Sequence, residues 1–259
     1  MWAAFAAILL WLAGPPARGA PAMPPAYDAY PRAAAAYLVV VDGRVTWARN
    51  PDEPRPPASL AKLLAALVLL DDPGWDEATR IDVGATAAAV EGSQLGLRQG
   101  ESLRAGDALT ALLVKSANDA CIALAEHVAG SVETFVTRMN ARAAALGMAG
   151  SRFGHPCGLD APGQQTTARD LLLLAGTALE RPAIAARVAL ARAEVTTLGG
   201  RRLAFVNGNA LVGRVDGVIG MKSGFTTRAG KNVIAVAIRG GHHVWLVMLG
   251  AEERWWTAA

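Results

Sequence analysis

Ser59 and Lys62 lie three residues apart in the stretch PPASLAKLLAALVLL, where a long apolar run begins. A serine hydroxyl is a weak nucleophile until a neighbouring base removes its proton. A lysine amine can act as that base, because burial or a second cation lowers its pKa, whereas an arginine guanidinium stays charged. The chain contains 21 arginines but only four lysines, so a lysine here is noteworthy. Taken alone, the pair also fits an N-cap serine followed by a solvated lysine.

The residues around this pair predict the helix that positions it. From Ser59 to about Leu70 the apolar residues recur at helical spacing, and the Asp-Asp-Pro-Gly sequence that follows ends the helix. Residues three apart on a helix share a face, so both side chains would point the same way. The first helical turn also offers free N–H groups to a developing negative charge.

A second polar group, Ser116-Ala117-Asn118, lies in the stretch KSANDAC at the end of an apolar helical segment. A turn at that point would present Ser116 and Asn118 toward a cleft. The same residues also fit an ordinary cap and turn.

A third group, Lys222-Ser223-Gly224, lies in GMKSGFTTRAG on a predicted strand. A lysine followed by a hydroxyl can bind a carboxylate, and a glycine within a strand often marks the close approach of another chain. The alternative is a lysine on a solvated edge strand.

Strand patterns occur at both ends of the chain, with helical patterns between them. The first strands form a predicted hairpin at 36–41 and 44–49 around an Asp-Gly turn, and the last third carries AEVTTLGGRRLAFV, GVIGMKSGFT, NVIAVAIRGG and HHVWLVMLGA. Helical spacing runs through AGDALTALLVKSAND, DACIALAEHVAGSVETFVTRMNARAAALGM and TTARDLLLLAGTALE. The expected fold is mixed α/β (α+β): an antiparallel sheet of N- and C-terminal strands with an inserted helical subdomain.

The N-terminus predicts export. Residues 3–14 form an apolar run too short to span a bilayer comfortably, and Ala20-Pro21-Ala22 resembles a cleavage site, so residues 1–22 are interpreted as a signal peptide. No basic residue precedes the run, which leaves an uncleaved anchor or a buried helix as alternatives. Residues 23–35 are expected to be a flexible lead-in, and 36–259 a single catalytic domain. The expected location is the periplasm or another extracytoplasmic part of the cell envelope.

Two features of the composition bear on partners and redox state. The net charge is +3 and no run of basic residues indicates a nucleic-acid groove, so no nucleic-acid partner is expected. Cys121 and Cys157 are the only cysteines. Whether they pair stays open at this point; Cys121 is expected in the core, with a thiol near the site as the alternative.

The three polar groups together carry a family resemblance. S-x-x-K, S-D-N and K-T-G mark penicillin-binding proteins and class A β-lactamases, and SLAK, SAN and KSG follow in the same order here. The chain resembles the D-alanyl-D-alanine carboxypeptidases among the low-molecular-mass penicillin-binding proteins (serine peptidases S11). The resemblance covers about residues 36–254 and includes EGSQLGLRQGE, FVTRMNARAAALGM and GHPCGLDAPGQQTTARDL.

The resemblance implies a β-lactamase/transpeptidase-like fold and a role for each site residue. Ser59 would be acylated, Lys62 would take its proton, and Ser116 would relay a proton to the leaving amine. The substrate would be bound by four further residues: Asn118, Lys222, Ser223 and Gly224. The backbone N–H groups of Ser59 and Phe225 would form the oxyanion hole. No metal or other cofactor is implied.

The implied activity is removal of the terminal D-alanine from peptidoglycan stem pentapeptides, with β-lactams as covalent inhibitors. KSG in place of KTG keeps the hydroxyl, so activity is expected to remain. Membrane association stays open. The alternatives are a serine β-lactamase, for which no Glu-x-x-Leu-Asn stretch follows Asn118, and a non-catalytic peptidoglycan-binding homologue.

Overall fold

The computed structural model describes residues 27–253, so the predicted signal peptide lies outside the described part of the chain. Within those residues no helix has the length and apolar character needed to cross a membrane. The strands are β1 (Ala36–Val41), β2 (Arg44–Arg49), β3 (Arg80–Asp82), β4 (Ser102–Arg104), β5 (Arg192–Thr196), β6 (Arg202–Val206), β7 (Val218–Thr226), β8 (Gly230–Arg239) and β9 (His242–Ala251).

The helical elements lie between β2 and β5. They are a 3₁₀ turn (Ala58–Leu60), α1 (Ala61–Leu70), α2 (Ala85–Ala89), α3 (Ala105–Thr110), a π-helical turn (Ala111–Lys115), α4 (Asn118–Ala129), α5 (Val132–Ala145), α6 (Ala168–Leu179) and α7 (Pro182–Val188). The predicted order of strands, helices and strands is therefore confirmed.

Five strands form one antiparallel sheet in the order β2-β1-β9-β8-β7. The hairpin predicted at 36–41 and 44–49 has those same boundaries. The first strands thus pair with the last, which closes the chain around the helical subdomain. β7 is an edge strand, so one side of its backbone is not used by the sheet.

Both faces of the central strands are buried, which explains their nearly continuous apolar sequences. Leu38 and Val40 of β1 join the main core under the helices, whereas Tyr37 and Val39 join a second apolar cluster on the opposite face. This alternation follows the two-residue period of a strand.

Helix α1 lies at the centre of the helical subdomain, and every residue from Ala61 to Leu69 is buried. It packs against α4, α5 and α6. Lys62 is the one charged residue in that buried run. The predicted threonine cap of α6 is also present, since Thr167 accepts a hydrogen bond from the Asp170 N–H.

Three details of the local structure differ from the sequence patterns. The pattern predicts one helix from Ser59, but Ser59 lies in the 3₁₀ turn before α1. The predicted helix through AGDALTALLVKSAND changes to a π-helical turn at Ala111 and ends before Ser116. β3 with β4, and β5 with β6, form separate two-stranded ribbons outside the main sheet.

Residues 27–35, part of the predicted lead-in, contact the sheet. Asp28 forms an ion pair with Arg49 at 2.7 Å and accepts a hydrogen bond from the Tyr37 hydroxyl at 2.8 Å. The ring of Tyr30 packs edge-on against Trp47. These contacts fix the chain direction as it enters β1.

Candidate active site

The 3₁₀ turn that carries Ser59 is fixed to strand β8 of the main sheet. Asn232 of β8 is fully buried and donates hydrogen bonds to the carbonyls of Pro56 (2.9 Å) and Pro57 (3.1 Å). The next residue, Ala58, adopts a left-handed φ of +48° and turns the chain into the helix. The sequence patterns do not identify Asn232, because its partners are backbone oxygens.

Lys62 is fully buried, and its amine contacts three oxygens. Nζ lies 3.0 Å from Ser59 Oγ, 2.7 Å from Asn118 Oδ1 and 2.7 Å from the Cys157 carbonyl oxygen. The predicted pairing of Ser59 with Lys62 is thus present as a direct contact. The two additional contacts come from residues far away in the sequence.

The surroundings of Lys62 favour its uncharged form. Burial lowers the pKa of Lys62 well below its ordinary value, and the positive charge of Lys222 lowers it further. The carboxylate of Asp119 acts in the opposite direction. An amine of this kind can accept a proton from a hydroxyl, which a normally solvated lysine at neutral pH cannot.

Ser116 and Asn118 lie at the junction between the π-helical turn and α4. Ser116 adopts a left-handed backbone (φ 67°, ψ 31°), which ends the turn. Its Oγ is buried and has no hydrogen-bond partner within residues 27–253. Asn118 begins α4, so its side chain reaches back to Lys62 while its Nδ2 donates to the Glu91 carbonyl at 2.5 Å.

Asp119 fixes the loop that covers this junction. Its buried carboxylate accepts hydrogen bonds at 2.8–3.0 Å from three consecutive backbone N–H groups, those of Leu95, Gly96 and Leu97. The same loop supplies the Ser93 carbonyl that accepts the Asn118 N–H at 2.7 Å. The sequence interpretation missed Asp119, although an acidic residue in the first turn of a helix is a recognisable pattern.

The third group lies on a strand, as predicted, and that strand is β7 at the edge of the sheet. Lys222 is buried and its Nζ donates to the Ser223 carbonyl at 2.9 Å, while Ser223 Oγ donates to the Gly208 carbonyl at 2.6 Å. A Cβ on Gly224 would lie 2.8 Å from the Ser59 nitrogen, so the strand contacts the nucleophile turn at a point where only glycine fits. Phe225, the next residue of β7, is 59% exposed.

Cys121 and Cys157 form a disulfide, which answers the question left open by the sequence. Cys121 lies one turn along α4 from Asn118 and is buried, as expected for the core; the alternative of a free thiol near the site is wrong. Cys157 belongs to residues 154–163, the segment that also supplies the carbonyl contact to Lys62. Gly158 follows, and a Cβ there would lie 1.8 Å from the Ala58 carbonyl oxygen.

The described geometry thus joins Ser59 to both other polar groups, through the Lys62–Asn118 contact and through Gly224. The model of the D-alanyl-D-alanine carboxypeptidases, peptidase family S11, matches residues 25–253. The chain belongs to this family. Membership agrees with the resemblance carried by SLAK, SAN and KSG.

Several bacterial D-alanyl-D-alanine carboxypeptidases and an endopeptidase are similar to the chain. One from Mycobacterium tuberculosis is 36% identical over 209 residues, which are 80% of this chain and 70% of that protein. One from Escherichia coli is 36% identical over 220 residues, 81% of this chain but 54% of the relative, so the chain spans about half of its length. A D-alanyl-D-alanine endopeptidase of E. coli is 32% identical over 228 residues, 85% of this chain and 73% of that protein.

Solved structures of two bacterial proteins have the same fold. The crystal structure of a D-alanyl-D-alanine carboxypeptidase from M. tuberculosis superposes with a TM-score of 0.78 at 32% identity and covers 90% of this chain and 86% of that one. The Streptomyces K15 DD-transpeptidase gives a TM-score of 0.81 at 24% identity, covering 87% of this chain and 94% of its own. The predicted β-lactamase/transpeptidase-like fold is confirmed.

Proposed function

We propose that this protein is a serine-type D-Ala-D-Ala carboxypeptidase that removes the terminal D-alanine of peptidoglycan stem pentapeptides through an acyl-enzyme on Ser59. The observation that carries the proposal is the fully buried Lys62 amine, 3.0 Å from Ser59 Oγ. Family membership and the names of the relatives support the reaction class.

The contacts of Lys62 explain how the amine would act as the base. An uncharged amine has two hydrogens and one lone pair. The Asn118 and Cys157 oxygens are acceptors, so they take the two hydrogens. The lone pair is left for Ser59 Oγ, whose proton moves to Lys62 as the oxygen attacks the carbonyl carbon of the penultimate D-alanine.

The remaining residues would stabilise the charges that this step creates. The carbonyl oxygen becomes an oxyanion, for which the backbone N–H groups of Ser59 and Phe225 are the donors in this proposal. Lys222 and Ser223 would bind the terminal carboxylate of the substrate. Gly224 leaves room for the peptide along the free edge of β7, as an added strand.

Collapse of the tetrahedral intermediate would break the C–N bond and release D-alanine. The departing nitrogen needs a proton, and the Ser116 hydroxyl, buried without a partner in the described residues, would pass it on from the Lys62 ammonium. Water then attacks the Ser59 ester and gives a proton to Lys62. The bond between the carbonyl carbon and Ser59 Oγ breaks, Lys62 returns a proton to Oγ, and the shortened peptide leaves with a free carboxyl group. β-Lactams would acylate the same oxygen and act as covalent inhibitors.

The proposed substrate implies action outside the cytoplasm, in the periplasm or an equivalent part of the envelope. The predicted signal peptide at 1–22 supports this location, and the Cys121–Cys157 disulfide is typical of an oxidising compartment. The association of the protein with the membrane is left open.

The experiment that tests the proposal combines labelling with product release. The purified protein is incubated with a fluorescent penicillin, the adduct is mapped by mass spectrometry, and D-alanine release from a model peptide ending in D-Ala-D-Ala is measured. We expect an adduct on Ser59, and loss of both activities in Ser59→Ala but not in Ser131→Ala, a matched change at a serine on the N-terminus of α5.

Two outcomes would contradict the proposal. A folded protein without adduct or D-alanine release would indicate a non-catalytic peptidoglycan-binding homologue. Rapid turnover of a chromogenic cephalosporin without D-alanine release would indicate a β-lactamase.

A further inference from the structure

The Cys121–Cys157 disulfide links the two oxygen acceptors of the Lys62 amine. The Cys157 carbonyl is one acceptor, at 2.7 Å, and its own side chain carries one of the bonded sulfurs. The other acceptor, Asn118 Oδ1, also lies at 2.7 Å and belongs to the first turn of α4, one turn before Cys121. The disulfide therefore fixes the spacing of the two groups that orient the amine.

The same bond also fixes the backbone against the nucleophile turn. Gly158 follows Cys157 directly and packs on the Ala58 carbonyl so closely that a Cβ there would lie 1.8 Å from the oxygen. A shift of the Cys157 backbone would therefore disturb the contact with Lys62 and the turn that carries Ser59.

Most other hydrogen bonds of residues 154–163 are local or lie at the ends of the segment. Gln164 accepts from the Gly154 and His155 N–H groups and donates to the Leu159 carbonyl. The side chain of Asn140 on α5 forms two hydrogen bonds with the backbone of Phe153, the residue before the segment. Thr226 of β7 donates a hydrogen bond to the exposed carboxylate of Asp160. The disulfide therefore joins Cys157, in the middle of the segment, covalently to α4, the helix that carries Asn118.

We propose that the Cys121–Cys157 disulfide is a positioning device for the Lys62 base, which sets the rate of Ser59 acylation in addition to stabilising the fold. This inference rests on the proposed function of Ser59 and Lys62. The effect of the bond is to hold the two acceptors so that the amine lone pair stays aimed at Ser59 Oγ. It also keeps residues 154–163 closed over the amine, which excludes water.

Loss of the bond should change how acylation depends on pH. The titratable groups that face Lys62 are Lys222 on β7, Asp119 on α4 and His155 in the covering segment. Water entry beside a loosened segment would weaken the desolvation that lowers the pKa of Lys62. The pKa would then rise, and the free amine would be formed only at higher pH.

The test is the pH profile of acylation for a variant that lacks the bond but refills the core, Cys121→Val with Cys157→Ala. Acylation by a fluorescent penicillin is followed by stopped flow at one temperature, chosen so that every protein is folded. We expect acylation at neutral pH to be roughly tenfold slower than in the wild type. We also expect a shift of the acid limb, the part of the pH profile where the rate falls because Lys62 is protonated. It should move to higher pH.

Two controls separate positioning from simple stabilisation. Phe135→Leu, a core change on α5, should lower Tm while leaving the acid limb in place. The double variant Cys121→Ala with Cys157→Ala gives a second protein without the bond if the first does not fold. Circular dichroism gives the folded fraction to which all rates are normalised.

The inference is overturned if the folded variants show the wild-type acid limb and rate, or if alkylation finds two free thiols in the purified wild type. These outcomes differ from failure of the proposed function, in which the wild type itself takes up no penicillin at Ser59.

Discussion

The candidate site has a helical side, with Ser59, Lys62 and Asn118, and a strand side on β7, and the two sides hold their polar groups in different ways. On the helical side, Lys62 is held by acceptors 56 and 95 residues away in the chain, so the base is assembled by tertiary packing. On the strand side, Lys222, Ser223 and Gly224 are consecutive residues of one edge strand, so the strand fixes the spacing of their backbones. The Gly208 carbonyl, 15 residues earlier in the chain, accepts the hydrogen bond that orients the Ser223 hydroxyl. We therefore expect the rate of Ser59 acylation to depend on charge and proton affinity at the helical side. At the strand side we expect it to depend on side-chain volume.

The largest expected effect is on the helical side, in Lys62→Arg. Arginine stays positively charged and does not give up a proton at neutral pH, so it cannot become the base. We expect acylation of Ser59 to fall about 10³-fold, the scale of a lost general base. Stopped-flow labelling with a fluorescent penicillin measures this loss. Lys231→Arg, at a lysine whose amine forms an ion pair with Glu253 and does not contact Ser59 or Lys62, is the matched control and should label normally.

A smaller effect is expected on the strand side, in Gly224→Ala, which adds one methyl group and no charge. Its Cβ would lie 2.8 Å from the Ser59 nitrogen and 3.0 Å from the Ala58 Cβ, so the strand or the nucleophile turn must move. We expect acylation to fall roughly 10²-fold, the cost of a displacement of about 1 Å at a reacting centre. Gly199→Ala, where the Cβ meets only one atom at 3.9 Å, should change little. Wild-type acylation by Gly224→Ala would show that the strand side tolerates added volume.

The smallest effect on rate is expected in Asp119→Asn, which removes a charge beside the base without adding volume. The carboxylate raises the pKa of Lys62, so its removal lowers that pKa further and keeps the amine free at lower pH. The acid limb of acylation should therefore move to lower pH, opposite to the disulfide variant. Loss of charge-assisted hydrogen bonds to the loop should lower the free energy of unfolding by about 2 kcal/mol, measured in urea. If the acid limb moves to higher pH instead, water entry beside Lys62 raises its pKa more than the loss of the Asp119 charge lowers it.

The same contrast explains how much of the molecule the sequence predicts. The order of strands and helices, the first hairpin and the three polar groups follow from patterns within short stretches, because periodicity and turn residues act locally. The consecutive residues of β7 are the clearest case. The structure adds what depends on contacts between distant segments: the pairing of Cys121 with Cys157 and the loop held by Asp119.

Backbone groups limit prediction in particular. The Cys157 carbonyl contacts Lys62, but a carbonyl has no residue type that would reveal its role in a sequence. The left-handed turn at Ser116 and the change to a π-helical turn before it likewise depend on tertiary packing around an ordinary apolar run.

The turn that carries Ser59 lies between two glycines of different segments, Gly158 on one side and Gly224 on the other. A methyl group at either would come within 1.8 Å or 2.8 Å of main-chain atoms of Ala58 or Ser59. These two contacts join main chain to main chain, and the Asn232 side chain adds its hydrogen bonds to the carbonyls of Pro56 and Pro57. The nucleophile turn therefore cannot shift toward either segment without displacing the main chain of residues 154–163 or of β7.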